Sequence, residues 1–186
     1  MSRMAAQGLA RAVSIVLHPF VVFAALTLLA TWMLDREALP RVVAGLGVAI
    51  GAVWVFVWQR VSSGRWGTVD ASRPHERPLL YAVVLVVVVG LWAWLGMASP
   101  LARGVAAAGT MLALAGLLNR WIKLSLHMAS LAFAGAAAWP LSPWLGAASL
   151  ALLPLLGWSR LHLRRHAWPE VVGGTVLGAL AGMATW

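Results

Sequence analysis

The chain contains no cysteine. That excludes disulfides, thioether-linked haem and thiolate metal sites. Acids are scarce as well, with five Asp and Glu in 186 residues and no two aspartates close together. Membrane prenyltransferases hold magnesium around a diphosphate with clustered carboxylates, so that chemistry is excluded despite a loop reading "DASRPHER". Charge of either sign is low, at 10% of residues, against about a quarter in a soluble domain. No solenoid-type repeat is visible.

What the chain has instead is apolar length, with 62% hydrophobic residues. Uncharged runs extend from Ala12 to Leu34, Val42 to Gln59, Leu79 to Ala102, Gly104 to Asn119, Met128 to Ser159 and Val171 to Trp186. Apolar runs of about 18 or more read as transmembrane helices. Pro140 and Pro143, in "AAWPLSPWLG", divide the fifth run in two. The expected fold class is therefore all-α, a polytopic transmembrane helical bundle of six to seven spans. One membrane domain fills 1–186, with spans near 13–34, 42–60, 79–98, 101–121, 125–139, 143–158 and 169–186. The first run is longer than the apolar core of a signal peptide, and no small-residue cleavage site clearly follows it. "GVAIG" (Gly47, Gly51) and "GTVLGALAG" (Gly174, Gly178, Gly182) let helix backbones approach closely. They are read as packing inside the bundle, with a homodimer seam as the alternative.

The net charge of +9 does not indicate nucleic acid, because the basic residues lie in loops of a membrane protein. Lipid headgroups and phosphorylated lipids are the nearer anions. With seven spans, three polar islands (60–78, 119–127 and 158–170) share a side with the N-terminus. That side holds eleven of the cations (Arg3, Arg11, Arg60, Arg65, Arg73, Arg77, Arg120, Lys123, Arg160, Arg164, Arg165) and the other holds Arg36, Arg41 and Arg103. The positive-inside rule places the islands in the cytoplasm, and the expected location is a bacterial inner (cytoplasmic) membrane. The fifth and seventh spans are short, so their island ends sit below the headgroup plane, where an enzyme acting on a lipid headgroup needs its residues.

The first island, "TVDASRPHERPLL", offers Asp70, Arg73, His75, Glu76 and Arg77. The second, "KLSLHMASLAF", offers Lys123, Ser125 and His127. The third, "WSRLHLRRHAWPEVVGG", offers Ser159, Arg160, His162, His166 and Glu170. Cations and helix-start N–H groups hold a phosphate and stabilise the charge of its transfer. One neutral histidine can attack phosphorus while a second gives a proton to the leaving oxygen. Each member also has a plainer reading. Arg164 and Arg165 read as snorkelling anchors, Glu170 as an acid favoured by the helix dipole, Ser125 as an N-cap, and His18 in "VLHPF" as kink-associated. Three islands on one face, each supplying part of one phosphate site, favour chemistry over the separate plain readings.

The third island resembles the Ser-Arg-x5-His-x3-Asp motif of the type 2 phosphatidic acid phosphatase superfamily at Ser159, Arg160 and His166, with Glu170 in place of Asp. The second resembles its Pro-Ser-Gly-His motif at Ser125 and His127, with Leu124 and Leu126 replacing Pro and Gly. The first resembles Lys-x6-Arg-Pro at Arg77-Pro78, with Asp70 where the lysine stands in the family. The resemblance covers roughly 66 to 180 and implies a metal-independent membrane lipid phosphatase with a phosphohistidine intermediate and no cofactor. On that pattern His166 is the nucleophile, Glu170 orients it, and His127 is the acid for the leaving group. Arg160, Arg77 and Ser125 hold the phosphate, and Arg73 or Lys123 replaces the missing lysine. The implied partners are a lipid phosphate substrate (phosphatidate, phosphatidylglycerophosphate or a prenyl phosphate) and membrane lipids. Many superfamily members work on the outer face, opposite to the charge count. A lipid phosphotransferase, or a non-enzymatic anionic-lipid binder or transporter, is the rival reading.

Overall fold

A computed structural model of the chain describes residues 3–67 and 76–186. Asp70, Arg73 and His75 of the first island lie outside the described residues. Within them the chain is all-helical, with no strand: α1 (Arg3–Val16), α2 (Pro19–Leu34), α3 (Leu39–Ser62), α4 (Arg77–Leu95), α5 (Ala102–Leu118), α6 (Leu126–Ala138), α7 (Pro143–Ala151), α8 (Leu153–His162) and α9 (Trp168–Met183), with a 3-10 turn at Arg36–Ala38. Proline sits in the first turn of α2, α3, α4, α7, α8 and α9. Its missing N–H costs nothing there, and its fixed φ suits a helix start.

The same residue type breaks the expected first span. Proline disfavours the helical region for the residue before it, and His18 is extended at φ −65°, ψ 141°. The N-terminal segment is consequently two helices, α1 and α2, bent by 43°. The inward face of α1 presents Ala10 and Ser14 to α8.

The expected count of six to seven full spans is not reached by length and composition. Three helical stretches, Arg36–Ser62, Arg77–Leu95 and Pro143–His162, are long and apolar enough to cross a membrane, and the bent α1–α2 pair makes a fourth. The helices α5 and α6 are apolar but have only 17 and 13 residues. A run of uncharged residues says how much chain is apolar. It does not say where turns such as Asn119–Leu124 end the helix.

The helices α6 and α9 form the tightest pair in the fold. A methyl group at Gly174 or Gly182 would lie 2.5 Å from the carbonyl oxygen of Ser125 or Phe133, and one at Gly178 would overlap Ala129. The glycine series of α9 is thus internal packing, which lets the two backbones touch. Gly47 and Gly51 on α3 behave otherwise, since no neighbour among the described residues lies within 4 Å of the position a methyl would take. The internal-packing reading fails for "GVAIG". Around α6, buried Met128, Leu131, Leu156 and Val171 form one core and Met111, Ala129 and Phe133 another.

Candidate functional site

The starts of α2, α4, α6 and α9 and the ends of α5 and α8 gather at one end of the bundle. Arg77, Lys123, His127, Arg160 and His166 all line one cavity of about 730 Å³ there. Among the described residues, every charged one lining it is a cation. A wall of that sign favours an anion, the more so where low dielectric strengthens the attraction.

His166 is placed by the turn between α8 and α9. Arg164 takes the left-handed region at φ 52°, and the N–H of Arg165 bonds back to the carbonyl of Arg160 at 3.0 Å. This closes α8 with the backbone pattern that usually employs glycine. The chain then reverses, and His166 comes to rest against Lys123 and Glu170. Its Nδ1 lies 2.8 Å from Glu170 Oε2 and 3.2 Å from the carbonyl oxygen of Lys123. Both neighbours are acceptors, so Nδ1 carries the proton. The lone pair of the neutral ring is therefore on Nε2. Desolvation, and then the Arg160 guanidinium, lower the His166 pKa to about 4 against the pull of Glu170. The ring is neutral at pH 7, as a nucleophile must be.

Glu170 has a second duty. Its Oε2 accepts the N–H of Ala167 at 3.1 Å, closing the first turn of α9 as a capping-box acid does. The helix-dipole reading and the orienting reading hold together in one carboxylate. The carboxylate touches His166 but does not itself line the cavity.

His127 meets residues outside the motifs. Its Nε2 is 3.4 Å from Ser14 Oγ, and Arg160 Nη1 donates to that same oxygen at 2.6 Å. A hydroxyl has one proton and two lone pairs. With one lone pair on Arg160, Ser14 can give its proton to a neutral His127 or accept one from a protonated ring. The His18 ring lies edge-on to His127 at 5.2 Å, while its Nδ1 accepts the N–H of Phe20 at 3.3 Å and caps α2. The kink reading of His18 describes its backbone, and the residue also lines the cavity. Ser14 was missed altogether. A serine in an amphipathic helix carries no sequence signal until that helix is known to lie on α8.

Other expected residues fall differently. Ser125 is wholly buried and does not line the cavity. Its N–H donates to the Glu170 carbonyl at 3.0 Å, and its Oγ has no hydrogen-bond partner among the described residues. Lys123 lines the cavity, and its Nζ donates to the Arg165 carbonyl at 2.9 Å. Desolvation, followed by the Arg77 charge, lowers its pKa. Arg77 Nη1 reaches Asn119 Oδ1 at 3.5 Å. Ser159 is a structural anchor, donating from Oγ to the Ala10 carbonyl at 2.7 Å. His162 stacks on Trp158 away from the site. Arg164 and Arg165, both read as anchors, are both exposed, and Arg165 also lines the cavity. Among the described residues no three His, Asp or Glu gather as a metal-ligand group.

Comparison with known proteins yields no match to any family model, curated protein or solved structure.

Proposed function

We propose that the chain is a membrane-embedded lipid phosphatase, a divergent relative of the type 2 phosphatidic acid phosphatases, acting through a phosphohistidine. The observation that carries this reading is the His166–Glu170 pair. It assigns the proton to Nδ1 and leaves Nε2 as the attacking atom, on a ring that lines a cation-walled cavity. Nε2 forms a bond to phosphorus as the bond to the lipid oxygen breaks, and His127 supplies the proton to that oxygen. The imidazole becomes cationic, and the Glu170 carboxylate stabilises it. Arg160, Arg77 and Lys123 balance the charge on the phosphoryl oxygens. Water attacks the phosphohistidine in the second half-reaction and releases phosphate.

Membrane placement follows the same reading. The helices cross a cytoplasmic membrane in seven passes, and the short ones α5, α6 and α9 are completed by their neighbours rather than by lipid. The deciding experiment is phosphate release by the purified protein from a panel of lipid phosphates, with and without EDTA. Release that survives chelation, together with a phosphoenzyme that is labile in acid and stable in base, is the expected result. Binding of the lipids without turnover would replace the enzyme by an anionic-lipid binder.

A further inference from the structure

The cavity does not stop at the polar cluster. The helices α2, α3, α4, α5, α9 and α6 pack in a closed circuit, each against the next and α6 back against α2. The cavity lies within that circuit, lined along its length by α2, α3, α4, α5 and α6 and by no described residue of α9. Its lining passes from His166 through Phe23, Val84 and Leu112 to Leu141 and Thr185 at the opposite end of the bundle. On α2 alone the lining extends from Phe20 to Leu34, roughly 21 Å at the helical rise. Protein interiors are close-packed, and a void of this size forfeits the dispersion contacts of every side chain around it. An apolar occupant restores them.

We infer that this chamber holds the hydrocarbon tail of the substrate, and that the substrate is a phosphate monoester of a single long apolar chain. The inference rests on the phosphatase reading and deepens it. The geometry is that of an amphiphile, with the histidines and most of the cations at one end and a largely apolar bore behind them that reaches Arg103 and Thr185 at the far end. Volume limits the number of chains. At the ~30 Å³ that a water-sized group occupies in a liquid, the 730 Å³ takes on the order of 24 carbon-sized groups. One long chain fits within that figure, and a second full-length acyl chain would have to leave it through the cavity's open side. Moving a tail from bilayer to chamber gains little hydrophobic free energy, since lipid is as apolar as leucine. The chamber therefore acts by position: a tail threaded along the bore holds the ester oxygen at one depth, beside His127 and His166.

The test compares four substrates in mixed detergent micelles: geranylgeranyl phosphate, oleoyl lysophosphatidate, dioleoyl phosphatidate and p-nitrophenyl phosphate. The first two distinguish an isoprenoid from an acyl chain. Wild-type kcat/KM is expected to be at least about tenfold higher for one or both of them than for dioleoyl phosphatidate. Ala24→Phe and Ala108→Phe each put a ring into the bore away from the catalytic groups. Each should lower single-chain turnover about tenfold or more, as overfilling a packed site does, while p-nitrophenyl phosphate stays within about twofold. If phosphatidate matches the single-chain lipids, or the filled variants hydrolyse them normally while the aryl ester is also cleaved, the chamber assignment is wrong and the phosphatase stands. If no ester is cleaved by the wild type, the phosphatase reading falls and this inference with it. The wild-type comparison decides the matter even if both variants misfold.

Discussion

Replacing Glu170 by glutamine tests the proposed mechanism at its most constrained contact. The wild-type carboxylate accepts from His166 Nδ1 at 2.8 Å and from the Ala167 N–H at 3.1 Å. Glutamine keeps one acceptor oxygen, and the backbone of α9 still supplies the helix start. What it loses is charge. A hydrogen bond to a charged partner is worth about 1.5–3 kcal/mol, which alone corresponds to about 10- to 150-fold in rate. The amide NH₂ can also present a donor to Nδ1, which flips the ring to the tautomer with its proton on Nε2. In the serine-protease triad the equivalent change costs about 10⁴-fold with the geometry intact. Glu170→Gln should therefore reduce kcat by about 10²- to 10⁴-fold, and Glu170→Asp, which keeps the charge, should lose less. The loss of the capping acid should cost only about 0.3–1 kcal/mol of stability. The assay is phosphate release together with trapping of the phosphoenzyme, alongside thermal unfolding in detergent. A Glu170→Gln protein with kcat within about fivefold of wild type would show that the contact is a helix cap and nothing more.

On the same mechanism His166→Ala should abolish both turnover and phosphoenzyme. His127→Ala should fail mainly on lipid alcohols and retain far more activity on an activated aryl phosphate, since general acid catalysis contributes ~10²–10⁴-fold where the leaving group needs a proton; retention by His166→Ala with loss in His162→Ala would reassign the nucleophile. Ser14→Ala should copy the leaving-group signature of His127→Ala at smaller amplitude, about tenfold on lipid esters, whereas an equal loss on both ester types would make Ser14 a phosphate or packing contact. The pH profile of kcat/KM should have an acid limb near the His166 pKa of about 4 and not near 6.5, because protonation below that point removes the attacking lone pair. Since Lys123 is among the cations that depress this value, Lys123→Met should move the limb upward. The unfolded chain binds that proton at the higher pKa, so stability should decline as pH falls from about 6.5 to about 4. For sidedness, a cysteine at Ser63 in this cysteine-free chain should resist a membrane-impermeant thiol reagent in intact cells, and prompt labelling would place the site on the outer face.

Apolar content and its interruption by proline were legible in the sequence, and they led to an all-helical membrane chain because both act locally. A backbone in lipid must satisfy its own hydrogen bonds, and a proline acts on its own turn. The pairing of His166 with Glu170 was expected from the motif resemblance, and the 2.8 Å contact is made by the turn at Arg164 that sets His166 just ahead of α9. Span lengths were less legible. Hydropathy does not mark where α5 stops short or where His18 and Pro19 break the first run. Ser14 could not be assigned, because its part in the site depends on α1 folding onto α8, more than a hundred residues away, and the His18 ring meets His127 only once α2 packs on α6. The two glycine patterns, similar in sequence, parted only in three dimensions: α9 presents Gly174, Gly178 and Gly182 to α6, while Gly47 and Gly51 meet no neighbour among the described residues. The bore inside the helix ring belongs wholly to tertiary structure. It is the space left between α2, α3, α4, α5 and α6, and no single segment encodes it.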